Sequence, residues 1–187
     1  MTLNRNLDIP AAGVRPGTLR IRGLAFADAA PLDAAYRRNA EHLAPWEPER
    51  KPEFFSEAGQ RSVIESKLML QTAGSEVPWV VVEEDRIIGM ITLTGIVRGP
   101  FLSAHLGYWI DEASTGGGIA SSSVQAVLSI ARDELGLHRI QAATLLHNVA
   151  SQTVLERSGF EQIGMAPAYL QIAGIWQDHA LYQRILY

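Results

Sequence analysis

Apolar and polar positions change period several times along the chain, and each change predicts an element. Residues 1–17 hold Pro10, Gly13, Pro16 and Gly17 without a period and read as an irregular leader. Thr18–Arg22 predicts a short strand and Ala27–Ala40 a helix. Ala44–Pro52 carries three prolines in nine residues, which fixes φ repeatedly and predicts a rigid loop. Ser56–Thr72 returns to helical spacing, with Val63, Ile64 and Leu68 near one face.

The period then shortens. Trp79–Glu83 is an apolar, β-branched run, Glu84–Arg86 a tight turn, and Ile87–Val97 a second run, together an antiparallel hairpin. Leu102–Ile110 alternates through Leu102, Ala104, Leu106, Tyr108 and Ile110, which predicts a third strand. Past Asp111, the segment Ser114–Ala120 leads into a helix to about Leu135, with Val124, Val127, Leu128, Ala131 and Leu135 on its buried face. Gly136 suits the position that ends it. His138–Leu146 predicts a strand, Asn148–Ser158 a short helix closed by Gly159, and Phe160–Ile172 and Gln177–Leu186 two further strands joined near Gly174. A strand, crossover helix and strand in that order imply one parallel pair inside a mostly antiparallel sheet, an α+β arrangement.

Composition narrows the function classes. At 187 residues the chain is expected to form one domain, 1–187. Lys plus Arg is 16 against 20 for Asp plus Glu, a net charge of −4, so no direct nucleic-acid partner is expected. The chain has no cysteine, which removes disulfides, thiolate metal sites and an acyl-cysteine intermediate. The five histidines show no metal-ligand spacing, so no metal is expected. No apolar run approaches the roughly 18 residues of a membrane span, and the first ten residues lack a signal-peptide core. The expected compartment is the cytoplasm.

Candidate chemistry begins at Gly116–Gly117–Gly118, between a strand end and a helix start. The first N–H groups of a helix lack intrahelical partners, and with the helix dipole they form an anion site suited to a pyrophosphate. Ser121, Ser122 and Ser123 add hydroxyls, although a flexible connector with a serine cap would use the same residues. A Walker loop needs Gly-Lys-Ser/Thr, and no lysine is near. A dinucleotide fingerprint needs a third glycine where Ser121 stands, and an acid after the next strand, which instead ends Thr144–Leu145–Leu146–His147.

A third phosphate-binding pattern fits. Gly107–Glu112, the glycine loop, Glu134–Ile140, Asn148–Ser151, Val154–Phe160, Tyr169–Leu170 and Gly174-x-Trp176-x-Asp178–His179 occur in the order found in GNAT acetyltransferases. They resemble the RimJ/RimL branch of ribosomal-protein N-terminal acetyltransferases, with Pro45–Trp46–Glu47–Pro48 and Val97–Arg98–Gly99 on the RimJ side. The resemblance covers about residues 15–187 and implies the GNAT fold. That is an αβα sandwich whose central sheet of six or seven strands splays at its one parallel pair. It also implies a phosphate loop at Thr115, Gly116, Gly117, Gly118, Ile119, Ala120 and Ser121, with Thr115 replacing the family's usual long polar side chain. Acetyl-CoA would bind there as acyl donor, its pantetheine meeting backbone near Trp109 and Ile110, where an N–H would stabilise the oxyanion.

With no cysteine and no G-x-S-x-G elbow, direct attack of a bound amine on the thioester is the route that remains. The resemblance makes Asn148 a cofactor contact and Ser151 a cofactor contact and proton donor to the leaving thiolate; both residues would also cap the short helix. No base stands out. Glu76, acting through water, is the expected proton acceptor, ahead of Glu47, Glu83, Glu84 and His105. Trp46, Glu47 and Tyr169 are expected to line the acceptor site, with Trp176 a further aromatic candidate. The expected acceptor is a protein N-terminal α-amine of the ribosomal-protein type; a small-molecule amine and a non-catalytic acyl-CoA-binding role are the rivals. The protein is expected to act as a monomer or homodimer.

Overall fold

The structure, a computed structural model, describes residues 6–10 and 19–187. One mixed sheet carries helices on both faces. Its strands are β1 (Leu7–Asp8), β2 (Leu19–Gly23), β3 (Glu76–Glu83), β4 (Arg86–Val97), β5 (Ser103–Ile110), β6 (Arg139–Leu145), β7 (Glu161–Ile172) and β8 (Ile175–Ile185). The spatial order is β1-β2-β3-β4-β5-β6-β8-β7, and every neighbouring pair is antiparallel except β5 with β6. The helices are α1 (Ala29–Arg38), α2 (Ala40–Leu43), α3 (Glu57–Thr72), α4 (Ile119–Asp133) and α5 (Val149–Arg157).

The sheet separates two cores. On one face Val77, Trp79, Val81, Ile91 and Leu93 pack with Ile119, Val124, Val127 and Leu128 of α4. On the other, Val80, Val82, Met90 and Trp109 pack with Leu32, Ala35 and Tyr36 of α1 and Ile64 of α3. Burial on both sides explains why β3 is an unbroken apolar run rather than an alternating one. The α3 start falls where its sequence predicts, because Ser56 Oγ accepts from the Gly59 N–H at 3.0 Å.

Three expectations change. Among the described residues the sheet has eight strands, not six or seven, because Leu7–Asp8 of the leader pairs with Ile21 and Arg20. The rest of the expected leader, residues 1–5 and 11–17, lies outside the described residues, as does Thr18. The helix expected over Ala27–Ala40 is a 3-10 turn at Phe26–Asp28 followed by α1 and α2. It breaks at Asn39, whose buried amide donates to the Ala35 carbonyl at 2.9 Å while its Oδ1 accepts from the Glu112 N–H at 2.9 Å. Finally, β8 begins at Ile175, because Ala173 (φ 49°) and Gly174 (φ 80°) turn the chain within two residues. Among the described residues, no helix is long and apolar enough to cross a membrane.

Candidate active site

The central feature is a parallel pair that stops early. β5 and β6 are in register only at Ser103–His105 with Arg139–Gln141. Beyond that, β5 stays with β4 as far as Ile110, and β6 stays with β8 as far as Leu145. The two strands therefore part, leaving main-chain groups on each rim. Which groups face the gap follows from register. Asp111 donates its N–H to the Ile88 carbonyl, so Trp109 also turns its backbone toward β4. Leu102 turns its carbonyl toward the N–H groups of His138 and Arg139, so Leu106, Tyr108 and Ile110 turn theirs into the gap. Of the main-chain groups expected near Trp109 and Ile110, those of Ile110 face the gap and those of Trp109 do not; Tyr108 faces it as well. Trp109 instead sends its indole to the opposite face, donating to the Tyr36 hydroxyl at 3.0 Å.

At the end of β5 the chain turns sharply into α4. The Asp111 carboxylate accepts from the Ala113 N–H at 3.2 Å and pairs with Arg38 at 2.6 Å. Arg38 and the Ala113 N–H hold this carboxyl below its usual range against the opposing effect of burial. Thr115 bonds back to the Glu112 carbonyl at 2.8 Å, so its side chain is engaged in the turn. Gly116 (φ 82°) and Gly118 (φ 78°) are left-handed, a conformation that glycine adopts without strain. Gly118 caps α4 with no side chain on the first-turn N–H groups. Ile119 is buried in the core and fixes the helix start, while a Cβ at Gly116 or Gly118 would meet nothing within 4 Å. Gly117, Ala120 and Ser121 are half-buried beside it. The result is a rigid, uncapped, outward-facing helix N-terminus at the wide end of the gap, suited to a phosphorylated group with a strand-like tail.

Across the gap stands α5. Asn148 Oδ1 accepts from the Ser151 N–H at 3.0 Å, the N-cap that its sequence predicts. Ser151 Oγ lies 2.9 Å from the Tyr108 hydroxyl, so one hydrogen bond spans from β5 to α5. Burial pushes the Tyr108 phenol up to about 12, partly opposed by Ser151, so it stays protonated at neutral pH and can share a hydrogen bond with Ser151. Sequence reasoning passed over Tyr108 because Leu106, Tyr108 and Ile110 alternate as ordinary core positions.

On the other face a cavity of about 400 Å³ is bounded by Tyr36, Leu43, Glu47, Arg50, Phe54 and Ala173, among others. Its walls come from distant segments. Ala173, at the β7–β8 turn, donates to the Glu47 carbonyl at 3.0 Å. Trp46 lies 5.4 Å from the His147 ring, which precedes α5. Glu47 is lifted above the ordinary carboxylate range by burial, with Arg50, 3.3 Å away, pulling it back down. Tyr36 is held above its usual value by burial and by the Glu47 charge. Tyr36 was missed for the same reason as Tyr108: helical spacing makes it one more core residue.

Four expected residues lie outside the cavity wall, and Trp46 is one of them, its ring beside that of His147. Glu76 opens β3, is only 6% exposed, and is held by Lys67 Nζ at 2.7 Å, so its carboxylate already has a cationic partner from α3. Tyr169 is outside the cavity wall; it stands 5.6 Å from the His179 ring. Trp176 is 65% exposed near the tip of the β7–β8 hairpin. Among the described residues no group of His, Asp or Glu is arranged to hold a metal ion.

Comparison with known proteins supplies the chemistry that this geometry fits. Residues 18–161 match the model of the acetyltransferase (GNAT) domain. An Escherichia coli relative, a [ribosomal protein uS5]-alanine N-acetyltransferase, is 31% identical over 176 residues, 93% of this chain and 91% of its own length. The ribosomal-protein-S5-alanine acetyltransferase of Vibrio fischeri superposes with a TM-score of 0.87 at 32% identity, over 94% of this chain and 96% of its own. Mycobacterium smegmatis RimJ, solved in complex with CoA-disulfide, superposes with a TM-score of 0.90 at 26% identity, over 96% and 86%. The parted strands and bare helix end suit the CoA moiety that such a relative carries. The chain belongs to the GNAT acetyltransferase family, whose acyl donor is acetyl-CoA.

Proposed function

We propose that this acetyltransferase acts on the α-amine at the N-terminus of a protein, a ribosomal protein among the candidates. Acetyl-CoA, when bound, supplies the activated acetyl thioester. The main-chain N–H groups of Gly116–Ser121 would hold its phosphates, and the rim at Tyr108 and Ile110 would hold its tail and polarise the carbonyl oxygen. Asn148 would keep α5 at the correct distance, and its free amide would face the same gap. Ser151, backed by Tyr108, would pass a proton to the departing sulfur. Glu47 would line the acceptor cavity, with Trp46 bracing its loop beside His147; Tyr169 stands beside His179, apart from the cavity wall. The protein would work in the cytoplasm as one domain, with neither nucleic acid nor metal as partner.

The observation carrying this reading is the juxtaposition of two openings: a main-chain gap on β5, and a side-chain cavity whose Tyr36 touches Trp109 of that same strand. The test is thiol release from acetyl-CoA in the presence of short peptides with N-terminal alanine or serine. Turnover that disappears when the peptide N-terminus is blocked is the expected result. Turnover only with small amines would redirect the assignment to a small-molecule acceptor, and none with any amine would overturn the catalytic reading.

A further inference from the structure

Resting on the amine-acceptor reading, we propose that Glu47 is the group that takes the proton from the acceptor ammonium, with Tyr36 orienting the amine beneath it. Geometry puts Glu47 in the wall of the acceptor cavity, with the rest of its loop fixed on both sides. Its backbone carbonyl is tied to Ala173, and its neighbour Trp46 stacks by His147. Tyr36 is only 8% exposed, and its oxygen already accepts from the Trp109 indole. Its own O–H is therefore the donor left to meet an incoming amine or the Glu47 carboxylate. Trp109 lies between Tyr108 and Ile110, whose N–H groups face the gap, so cavity and gap share one strand.

Two candidate bases, Glu76 and Glu47, differ in what else they must do. Glu76 is spent on Lys67 in a pair whose partners are both largely buried. Glu47 meets Arg50 at 3.3 Å, on a side chain that is 37% exposed and lies over the Phe54 ring, 4.7 Å from its centroid. Charged and titratable groups facing Glu47 come from three elements: Arg50 and Glu49 on its own loop, Tyr36 on α1 and Lys67 on α3. Burial outweighs the two cations and leaves Glu47 a stronger base than a free carboxylate.

The proton balance is simple. One ammonium proton passes to the Glu47 carboxylate, leaving a neutral amine with a lone pair. Its nitrogen bonds to the thioester carbon, and the carbon–sulfur bond breaks. As the amide forms, the second nitrogen proton replaces, by way of solvent, the proton that Ser151 gives to the departing thiolate. Each turnover then releases the proton held on Glu47 to water.

The experiment measures kcat against pH for wild type, Glu47→Gln, Glu47→Asp and Glu76→Gln, at saturating acetyl-CoA and a peptide with N-terminal alanine. Acetyl-CoA affinity is followed by calorimetry. Wild type is expected to lose activity on the acid side as Glu47 protonates. Glu47→Gln should lower kcat about 100-fold and abolish that limb, with acetyl-CoA affinity unmoved. Glu47→Asp should restore the limb at reduced amplitude, which a purely structural role would not do. Wild-type turnover with an unchanged limb in Glu47→Gln, or loss of the limb in Glu76→Gln instead, would overturn the role of Glu47 alone. No turnover by wild type would overturn the acceptor reading and this inference with it.

Discussion

The two faces of the sheet solve their binding problems in opposite ways. The donor side is continuous and main-chain: β5, the glycine turn, α4, β6 and α5 follow one another between Ser103 and Arg157. Its proposed phosphate and carbonyl donors are N–H groups, and the glycines of its turn matter by leaving them bare. The proposed acceptor side is assembled from α1, the 44–50 loop, the Pro52–Phe54 turn and the β7–β8 turn, more than a hundred residues apart in the chain. Its chemistry is carried by side chains. Backbone grip suits a ligand whose phosphates are always the same; a side-chain wall suits an acceptor that must be told from others.

The sharpest way to break this contrast is to put a side chain where the donor side has none. Gly118→Asp places a carboxylate at the α4 N-terminus, where it repels phosphate and competes for the bare N–H groups; Gly118→Asn, which bears the same left-handed backbone cost at φ 78°, is its control. Lost charge-assisted hydrogen bonds and repulsion together cost about 3 kcal/mol, or roughly 100-fold in acetyl-CoA affinity. Calorimetry should show that loss with far-UV circular dichroism unchanged. Retained affinity would mean the phosphates sit elsewhere.

Next is the seam between the faces, where Ser151 and Tyr108 meet. Ser151→Ala should lower kcat about tenfold, at or below the low end for acid catalysis, because a thiolate leaves readily near neutral pH. Tyr108→Phe should have a smaller effect, since Ser151 keeps its hydroxyl. The double variant should match Ser151→Ala, because the two act as one unit. Additive losses in kcat would show that they act separately.

Asp111 tests whether the faces are mechanically joined. It ends β5 beside the donor loop, yet its partner Arg38 belongs to α1 on the acceptor side. Asp111→Asn should destabilise the fold by about 2 kcal/mol, less than for a fully buried pair because Arg38 is one-third exposed. The folded Asp111 carboxyl sits below its usual value of 3.8, so the stability it adds is present above that pH and lost as pH falls through the folded value. Urea melts of wild type and variant should therefore differ at neutral pH and converge in acid. A constant difference across pH would mean that the ionised form is not what stabilises.

The same contrast explains what could be read from the chain beforehand. The donor side is built from local signals: alternation over Leu102–Ile110, three glycines, a 3.6-residue period, and an asparagine cap. Each states its structure within a few residues. The acceptor side is built from contacts that no local pattern encodes. Asn39 breaks a helix because Glu112, 73 residues away, needs its amide oxygen. Leu7–Asp8 is a strand only because β2 offers it an edge. Glu76 and Glu47 look alike in sequence, and only Lys67 beneath one and the cavity beside the other separate them. Tyr36 and Tyr108 carry polar tips on positions whose period says core.

The smallest expected effect sharpens the donor side further. Thr115 stands where the family pattern has a long polar side chain, and its hydroxyl turns back to Glu112 rather than outward. If the grip is main-chain, that side chain is an accessory. Thr115→Gln would release the turn bond, worth about 1 kcal/mol at an exposed site, and gain one outward donor of similar worth. The two nearly offset, so acetyl-CoA affinity should rise by no more than about threefold, and kcat should not move. A tightening of tenfold or more would show that the loop of this protein is held back by its side chain. The division between a backbone side and a side-chain side would then be one of degree.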